Sequence, residues 1–319
     1  MAQQAHSAAH QSAGNEWAVI LAGGDGTRLK SLTRRIAGDE RPKQFCSVLG
    51  HATLLEETQY RAGLELSPER TLYVVNRAHE NYYAPILGDE QVENRVVQPS
   101  NRGTAAAILY SLLRIAARDP KAVVAFFPSD HYISDDAKFM AQIRHALDSA
   151  NQRRDLVVLL GLVPESPEVE YGWIEPAQPI RGQAKVFGVR RFWEKPNRML
   201  AQVLQLRGCL WNSFVMVASV QALLEIIERA IPELHRSFAN LAPLFGSDGE
   251  AKAIDLLYDR LQEVNFSHQV LALKPERLAV LKVTGVRWND LGEPKRVMAS
   301  LDIAGVRPHW AEAAAPQFA

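Results

Sequence analysis

The chain has 319 residues, of which 47% are hydrophobic and 23% charged, a composition typical of a globular protein that can bury a large core. Its 36 basic and 36 acidic residues cancel, so no global field attracts nucleic acid or an anionic membrane. The longest apolar run, residues 156–163, is far shorter than the ~20 residues that a membrane-spanning helix needs. Two cysteines, Cys46 and Cys209, exclude a four-thiolate metal site and a disulfide framework, so we expect buried free thiols.

The first fifteen residues are small and polar. They lack the basic start and apolar centre of a signal peptide, and also the arginines of a transit peptide. We therefore expect residues 1–15 to form a disordered tail and the protein to be cytoplasmic. A single domain is expected over residues 16–303, and the C-terminal tail over residues 304–319 has no clear pattern.

Strand and helix patterns alternate in the first half of the chain. Residues 17–21 predict a buried strand, because this run is short, apolar and rich in β-branched side chains. Further strands are predicted over residues 72–76, 95–97, 122–127 and 156–162, and helices over 53–64, 136–150 and 104–118, the last with Thr104 as its N-cap. This alternation favours an α/β fold with a Rossmann-like, doubly wound, mostly parallel sheet, whose ligands lie beyond the carboxyl ends of the strands.

The pattern changes after residue 163, because several prolines interrupt shorter β-like segments. Strands are predicted over residues 171–175, 186–193, 211–218 and 278–288, and helices over 220–230 and 250–262. We interpret this half as a smaller antiparallel extension of the same domain.

A glycine loop follows the first strand. Gly23, Gly24 and Gly26 allow a sharp turn that exposes backbone N–H groups to a ligand, and Arg28 and Lys43 follow them. Amides, a guanidinium and an ammonium after a strand suit a polyphosphate. Two common motifs are excluded, since a P-loop needs lysine after its last glycine and a dinucleotide fingerprint needs a third glycine three positions after Gly26.

Two aspartates, Asp130 and Asp290, follow predicted strands that are far apart in the sequence. Carboxylates at two strand ends can bracket a hard cation that also holds phosphate oxygens. Taken singly, each aspartate would more ordinarily cap a turn. Glu194 and Lys195 form a charged pair at another strand end, where a solvated turn is the ordinary interpretation.

The string Leu-Ala-Gly-Gly-Asp-Gly-Thr-Arg-Leu at 21–29, followed by Pro-Lys-Gln-Phe at 42–45, resembles the signature of the sugar-1-phosphate nucleotidyltransferases. Further motifs similar to those of this family occur in its order: Pro-Ser-Asp-His at 128–131, Tyr-Gly-Trp-Ile at 171–174, Glu-Lys-Pro at 194–196, Trp-Asn-Ser at 211–213 and Trp-Asn-Asp-Leu-Gly at 288–292. The resemblance covers residues 17–297, and Pro-Lys-Gln-Phe is most similar to the mannose-1-phosphate guanylyltransferase branch. Lys30-Ser31 departs from that branch, which usually has Trp-Pro there.

This resemblance implies GTP and mannose 1-phosphate as substrates, GDP-mannose and pyrophosphate as products, and Mg²⁺ as the cofactor, held by Asp130 and Asp290. It places the sugar phosphate on the antiparallel extension. The implied catalytic residues are Arg28, Lys43, Asp130, Lys195 and Asp290; the nucleotide-binding residues are Leu21, Ala22, Gly23, Gly24, Gly26, Thr27, Gln98, Thr104 and Ser129; and the residues expected to bind the sugar phosphate are Gly172, Glu175, Glu194 and Asn212.

In this chemistry the sugar phosphate attacks the α-phosphorus of the nucleotide in line, and pyrophosphate leaves. A phosphate monoester has a second pKa of ~6 and is mostly dianionic near neutral pH, so no general base is needed. The choice of base is open, because Gln98 stands where the guanylyltransferase branch more often has glutamate. A glutamine there is similar to the thymidylyltransferases, so dTTP or UTP with glucose 1-phosphate is the alternative.

Two other classes of protein would be expected to show different sequence features. A nucleotide-sugar-dependent glycosyltransferase would usually place Asp-x-Asp after the central strand, but Tyr132 stands two positions after Asp130. A catalytically dead nucleotide-binding regulator would be expected to lose Arg28, Lys43 or a metal aspartate, and all are present. The expected partners are a nucleoside triphosphate and a sugar 1-phosphate, without nucleic acid or membrane, and a homodimer is left open.

Overall fold

The structure is a computed structural model that describes residues 14–88 and 92–312. Of the expected N-terminal tail over residues 1–15, only Gly14 and Asn15 fall within this range. The part of the expected C-terminal tail beyond residue 312 also lies outside the described residues.

The strands of the described residues are β1 (Glu16–Leu21), β2 (Thr71–Asn76), β3 (Arg95–Gln98), β4 (Val123–Pro128), β5 (Tyr132–Ile133), β6 (Val157–Leu162), β7 (Gly172–Pro179), β8 (Val186–Glu194), β9 (Leu210–Ser219), β10 (Leu278–Val283) and β11 (Trp288–Asn289). The helices are α1 (Lys30–Ala37), α2 (Leu54–Gly63), α3 (Glu80–Leu87), α4 (Gly103–Arg118), α5 (Asp136–Gln152), α6 (Arg198–Leu206), α7 (Val220–Ala230), α8 (Pro232–Ala239), α9 (Glu250–Tyr258), α10 (Phe266–Gln269), α11 (Pro294–Ala304) and α12 (His309–Glu312).

The strands except β5 and β11 form one sheet in the order β3-β2-β1-β4-β9-β6-β10-β8-β7. Parallel pairing joins β3, β2, β1 and β4, and also joins β6 to β10. However, β9 lies antiparallel between β4 and β6, and β8 and β7 continue the sheet antiparallel beyond β10. The expected mostly parallel sheet is therefore a mixed sheet, because a strand buried on both faces has the same apolar pattern in either direction.

Helices cover both faces of this sheet. Alternate residues of β4 point into two different core layers, with Phe127 in the layer under α2 and α5, and Phe126 in the layer under α4 and α7. Local signals start several of the helices: Thr53 and Glu56 form a capping box at α2, and the side chain of Asp135 accepts a hydrogen bond from the backbone N–H of Lys138 at α5.

Several predicted boundaries are wrong. Helix α4 begins at Gly103 with Arg102 as its cap residue, so Thr104 is not the N-cap. The strand predicted over residues 278–288 is divided into β10 and β11, and β11 pairs with β5 in a separate antiparallel ribbon. This ribbon brings residues 288–290 beside residues 130–133. The two expected metal ligands, Asp130 and Asp290, therefore lie at the same end of the ribbon, and Lys43 contacts both residues.

Residues 304–312 contain structure that their sequence pattern does not indicate. Helix α12 follows α11, and the indole N–H of Trp310 donates a hydrogen bond to the carbonyl of Val48 over 3.2 Å. Cys46 and Cys209 are buried and free, as expected. In the ranges 14–88 and 92–312, no helix has both the length and the apolar character needed to cross a membrane.

Candidate active site

A cleft with a volume of about 390 Å³ opens at the carboxyl ends of β1, β3 and β4. This is the edge of the sheet at which ligands were expected. The predicted site residues that line the cleft are Leu21, Gly23, Gly24, Gln98, Thr104, Asp130 and Glu194. The other predicted residues do not line the cleft, and their positions are described below.

The glycine loop (residues 22–26) rests on the Pro-Lys-Gln-Phe segment. The side-chain amide of Gln44 is buried and donates hydrogen bonds to the carbonyls of Ala22 and Gly24, over 3.1 and 2.7 Å. Gly26 has a φ of +60°, and a Cβ there would lie 3.0 Å from the Cα of Pro42. In the sequence Gln44 stood out only as part of a motif, and its support of the loop was not predicted.

Several predicted nucleotide-binding residues shape the loop without lining the cleft. Ser129 is buried, and its hydroxyl and backbone N–H both donate to the carbonyl of Leu21, over 2.8 and 3.1 Å. The backbone N–H of Ala22 donates to the carbonyl of Val74 over 2.8 Å. Thr27 begins a short 3₁₀ turn. These contacts fix the end of β1, and with it the position of the loop.

Gln98 lies between the glycine loop and helix α9. It is 3% exposed, and its side-chain oxygen accepts a hydrogen bond from the hydroxyl of Tyr258 over 3.1 Å. Burial raises the pKa of Tyr258, so its hydroxyl stays protonated and can donate. The amide nitrogen of Gln98 lies 2.6 Å from the point where a Cβ on Gly23 would stand, so any side chain there would displace Gln98. The oxygen of Gln98 is thus engaged by the protein, and its nitrogen faces the loop.

A second wall of the cleft, not foreseen from the sequence, comes from residues 263–267, which we call the base wall. Gly103 has a φ of +81°, and a Cβ there would overlap the carbonyl oxygen of Val264. That carbonyl accepts from the backbone N–H of Ala105 over 3.1 Å, and the hydroxyl of Thr104 accepts from the N–H of Phe266 over 2.9 Å. Glycine at position 103 therefore allows the base wall to dock on the start of α4.

Lys43 is buried beside both aspartates. Its ammonium lies 3.3 Å from Oδ2 of Asp130, and it donates to the backbone carbonyls of Asp290 and Leu291, the latter over 3.2 Å. Oδ1 of Asp290 accepts hydrogen bonds from three donors: Nη1 of Arg296 over 2.9 Å, the N–H of Gly292 over 3.0 Å and the hydroxyl of Tyr171 over 3.2 Å. These donors fix the orientation of the Asp290 carboxylate.

The charge state of this region follows from burial and from the neighbouring charges. Burial alone would raise the pKa of Asp290, but the positive charges of Lys43 and Arg296 outweigh it and hold that pKa below its ordinary value. Burial lowers the pKa of His131 to about 4, and its Nδ1 accepts from the indole of Trp288 over 3.2 Å. His131 is therefore a neutral, packed neighbour of the two aspartates.

Asp130 and Asp290 together fit a hard cation such as Mg²⁺, which prefers carboxylate oxygens. Oδ1 of Asp290 is engaged by three donors, whereas no hydrogen bond or ion pair with another described residue uses its Oδ2, and Asp130 opens onto the cleft. Within the described ranges, no group of three or more His, Cys, Asp or Glu side chains is arranged so that it could hold a metal ion. The chain thus offers two oxygen ligands, and the phosphate oxygens of a substrate would have to supply others.

Arg28 and Lys195 meet at Glu170, a residue that was not selected from the sequence. Its carboxylate lies 3.6 Å from Nη1 of Arg28 and 3.7 Å from the ammonium of Lys195. The side chains of Arg28 and Lys195 are 57% and 54% exposed. The two cations are therefore brought together at the rim of the cleft, on one shared carboxylate.

Three of the four residues expected to bind the sugar phosphate lie side by side. A Cβ on Gly172 would stand 3.1 Å from Oε2 of Glu194 and 3.3 Å from Cβ of Asn212. Burial raises the pKa of Glu194, and the side-chain oxygen of Asn212 accepts from the N–H of Phe214 over 3.1 Å. Glu175 is not part of this group. It points to the opposite face of β7 from Gly172, and its carboxylate lies 3.7 Å from Arg190.

Comparison with known proteins agrees with this geometry. The family model described as nucleotidyl transferase matches residues 17–301, which is most of the chain. The chain belongs to the nucleotidyl transferase family.

Its relatives in this family include mannose-1-phosphate guanylyltransferase 2 of Escherichia coli O157:H7, which is 29% identical over 86% of this chain and 58% of its own length. The xanthan biosynthesis protein XanB of Xanthomonas campestris pv. campestris is 31% identical over 86% of this chain and 57% of its own length. Among solved structures, a mannose-1-phosphate geranyltransferase from Thermus thermophilus matches with a TM-score of 0.74 and 28% identity, covering 87% of this chain and 76% of that one.

The chain thus spans little more than half the length of the two curated relatives. The family expected from the sequence is confirmed, and so is an α/β fold with a sheet core and covering helices.

Proposed function

We propose that this chain transfers a guanylyl group from GTP to mannose 1-phosphate and forms GDP-mannose and pyrophosphate. The observation that carries the proposal is the set of groups around one cleft. The glycine loop, Asp130 and Glu194 line the cleft, the buried Lys43 lies beside Asp130, and Gly172 lies beside Glu194. The names of the relatives, among them mannose-1-phosphate guanylyltransferases, support the choice of substrates.

The triphosphate would lie along the glycine loop, whose backbone Gln44 and Ser129 hold in place. The sugar phosphate attacks the α-phosphorus in line, the new P–O bond forms, and the bond to pyrophosphate breaks. The phosphate monoester is already dianionic, so the site needs positive charge and alignment rather than a base. Lys43 and Arg28 supply charge toward the nucleotide, and Lys195 toward the sugar phosphate.

Asp130 and Asp290 are the residues that would hold Mg²⁺, which when bound neutralises charge on phosphate oxygens. The ion pair with Lys43 holds the carboxylate of Asp130 in position. The contacts of Asp290 with Tyr171 and Arg296 do the same for the second carboxylate. GTP binding and the Mg²⁺ requirement are parts of this proposal.

The sugar is expected beside Gly172, where the missing side chain leaves room against the backbone. Glu194 can accept hydrogen bonds from sugar hydroxyls, and the amide nitrogen of Asn212 can donate because its oxygen is already bonded to Phe214. Glu175 faces away from this group, and we leave it out of the proposed sugar site. A cytoplasmic location and a homodimer stay predictions from the sequence.

Pyrophosphate release, measured for five nucleotides and two sugar phosphates, tests the proposal. We expect the highest specificity constant for GTP with mannose 1-phosphate, above dTTP, UTP, CTP and ATP and above glucose 1-phosphate. EDTA should abolish the activity and Mg²⁺ should restore it. If dTTP or UTP with glucose 1-phosphate is the best pair, the chemistry stands but the choice of substrates is wrong.

A further inference from the structure

The base wall carries an acidic side chain that the mechanism above does not use. Glu263 lines the cleft together with Gln98, Thr104 and Gly23. It is exposed, and among the described residues its carboxylate has no hydrogen-bond or ion-pair partner. A carboxylate that faces a nucleotide cleft without a partner can accept hydrogen bonds from a ligand.

The backbone next to Glu263 is held by hydrogen bonds. The N–H of Val264 donates to the carbonyl of Arg102 over 3.2 Å, and the carbonyl of Val264 accepts from Ala105 over 3.1 Å. Two residues further, Phe266 is buried, and its N–H donates to Thr104. The backbone on the C-terminal side of Glu263 is thus docked on the start of α4, opposite the glycine loop.

Gln98 supplies the complementary chemistry. Because its oxygen accepts from Tyr258, its amide nitrogen remains as the donor for a ligand. Asn265 also lines the cleft, but its side-chain oxygen already accepts from the N–H of His268 over 2.9 Å. On the base wall, an unused acceptor is therefore provided by Glu263, and across the cleft an unused donor by Gln98.

We infer that Glu263 selects the base of the nucleotide: its carboxylate accepts hydrogen bonds from N1–H and N2–H₂ of guanine, while the amide nitrogen of Gln98 donates to O6. This inference rests on the proposed function and deepens it.

Guanine is the base whose edge has a carbonyl followed by two neighbouring donors, and this order matches one donor and one acceptor-only carboxylate. Uracil and thymine have a single N3–H between two carbonyls, so one carbonyl would face the carboxylate of Glu263. Adenine and cytosine place a ring nitrogen that accepts hydrogen bonds beside their amino group. Guanine is therefore the only one of these bases that presents donors to the carboxylate of Glu263 and an acceptor to the amide nitrogen of Gln98.

This assignment resolves an ambiguity in the sequence. Gln98 alone can pair with guanine, thymine or uracil, because an amide both donates and accepts. With its oxygen taken by Tyr258, Gln98 can recognise a carbonyl, which all three bases have. The discrimination must then come from another residue, and Glu263 is placed to provide it.

The test compares Glu263→Gln with the wild type, using GTP, ITP and dGTP in both equilibrium binding and turnover with mannose 1-phosphate. ITP lacks the 2-amino group, and dGTP lacks the ribose 2′-hydroxyl. Glu276→Gln is the matched control, because Glu276 is also exposed and lies outside the cleft. Because Glu263 is exposed and glutamine has nearly the same shape, this substitution should leave the fold intact.

We expect the wild type and Glu276→Gln to favour GTP over ITP by about tenfold or more, the effect of one charge-assisted hydrogen bond. In Glu263→Gln the preference for GTP over ITP should largely disappear. The preference for GTP over dGTP and the KM for mannose 1-phosphate should stay unchanged. An unchanged preference for GTP over ITP would overturn the inference. Loss of the preference for GTP over dGTP instead would also overturn it, because Glu263 would then bind the ribose.

Failure of the proposed function would look different. In that case the wild type would release no pyrophosphate from GTP and mannose 1-phosphate in the panel described above. If the wild type is active with GTP but does not distinguish it from ITP, the proposed function holds and the role of Glu263 is wrong.

Discussion

The floor of the cleft and its rim are held in different ways. On the floor, Gln44, Ser129 and Lys43 are buried and make hydrogen bonds to backbone carbonyls of the glycine loop, of β1 and of the segment around Asp290. At the rim, the exposed cations Arg28 and Lys195 share the carboxylate of Glu170 at distances of 3.6 and 3.7 Å.

This difference indicates which parts of the site are set before substrates bind. A buried polar group is costly to leave without its partner, so the floor is expected to keep one arrangement. Exposed ion pairs are worth little, so Arg28 and Lys195 can leave Glu170 for a phosphate at small cost. The floor would thus define where the reacting atoms lie, and the rim would adapt to the substrates.

The largest effect is expected on the floor, at the two carboxylates. Asp130→Asn and Asp290→Asn should each lower turnover by about 100-fold or more, the loss typical of removing one strong electrostatic contact in a transition state. Thermal unfolding should stay cooperative but shift to lower temperature, because each substitution leaves a largely buried cation, Lys43 or Arg296, without its charged partner. Asp302→Asn is the control, since Asp302 forms an exposed ion pair far from the cleft. Near-normal turnover in both aspartate variants would remove them from the mechanism.

Gly103→Ala tests whether the base wall depends on its docking to α4. The substitution forces alanine into a left-handed backbone and against Val264, so we expect a loss of about 3 kcal/mol in the free energy of unfolding, measured by denaturant titration. Gly63→Ala is the control, because Gly63 ends α2 with open space around it. Equal stability of the two variants would show that the base wall is not docked in this way.

Gln44→Ala tests the support of the glycine loop. It leaves two carbonyls without their donor, so we expect a loss of about 2 kcal/mol in stability. The KM for the nucleotide should rise, while the KM for the sugar phosphate stays constant. A variant with normal stability and a normal KM would mean that the loop holds its shape alone.

The smallest effect on stability is expected at the rim. Arg28→Ala and Lys195→Ala should each change the free energy of unfolding by no more than about 0.5 kcal/mol, because both side chains are exposed. Their kinetic effects should differ: Arg28→Ala should raise the KM for the nucleotide by about tenfold, and Lys195→Ala that for the sugar phosphate. If both variants change only the KM for the nucleotide, Lys195 does not bind the sugar phosphate.

The sequence predicted most of the elements that carry the floor of the site. Apolar runs with β-branched residues predicted β1 and β4. The glycine loop was recognised in the turn after β1, and Asp130 in the turn after β4. It did not predict that β9 enters antiparallel between β4 and β6, since strand order and direction depend on contacts distant in sequence. For the same reason the pairing of β11 with β5, which brings Asp290 to Asp130, could be known only from the structure.

The residues that were missed act through tertiary contacts. Gln44 supports the loop, Glu170 joins the two cations, and Glu263 stands on the base wall. Each is a polar residue in an irregular or turn-like segment, where periodicity gives no signal. The docking of Gly103 could not be predicted either, because its partner Val264 is more than a hundred residues away in the sequence.

The central claim is that the α-phosphorus of a nucleotide is transferred directly to a sugar phosphate in this cleft. Its most direct test follows the fate of label from GTP during turnover with mannose 1-phosphate. We predict that [α-³²P]GTP gives labelled GDP-mannose and that [γ-³²P]GTP gives labelled pyrophosphate. Label from the γ position in inorganic phosphate or in the sugar product, with none in pyrophosphate, would contradict the account.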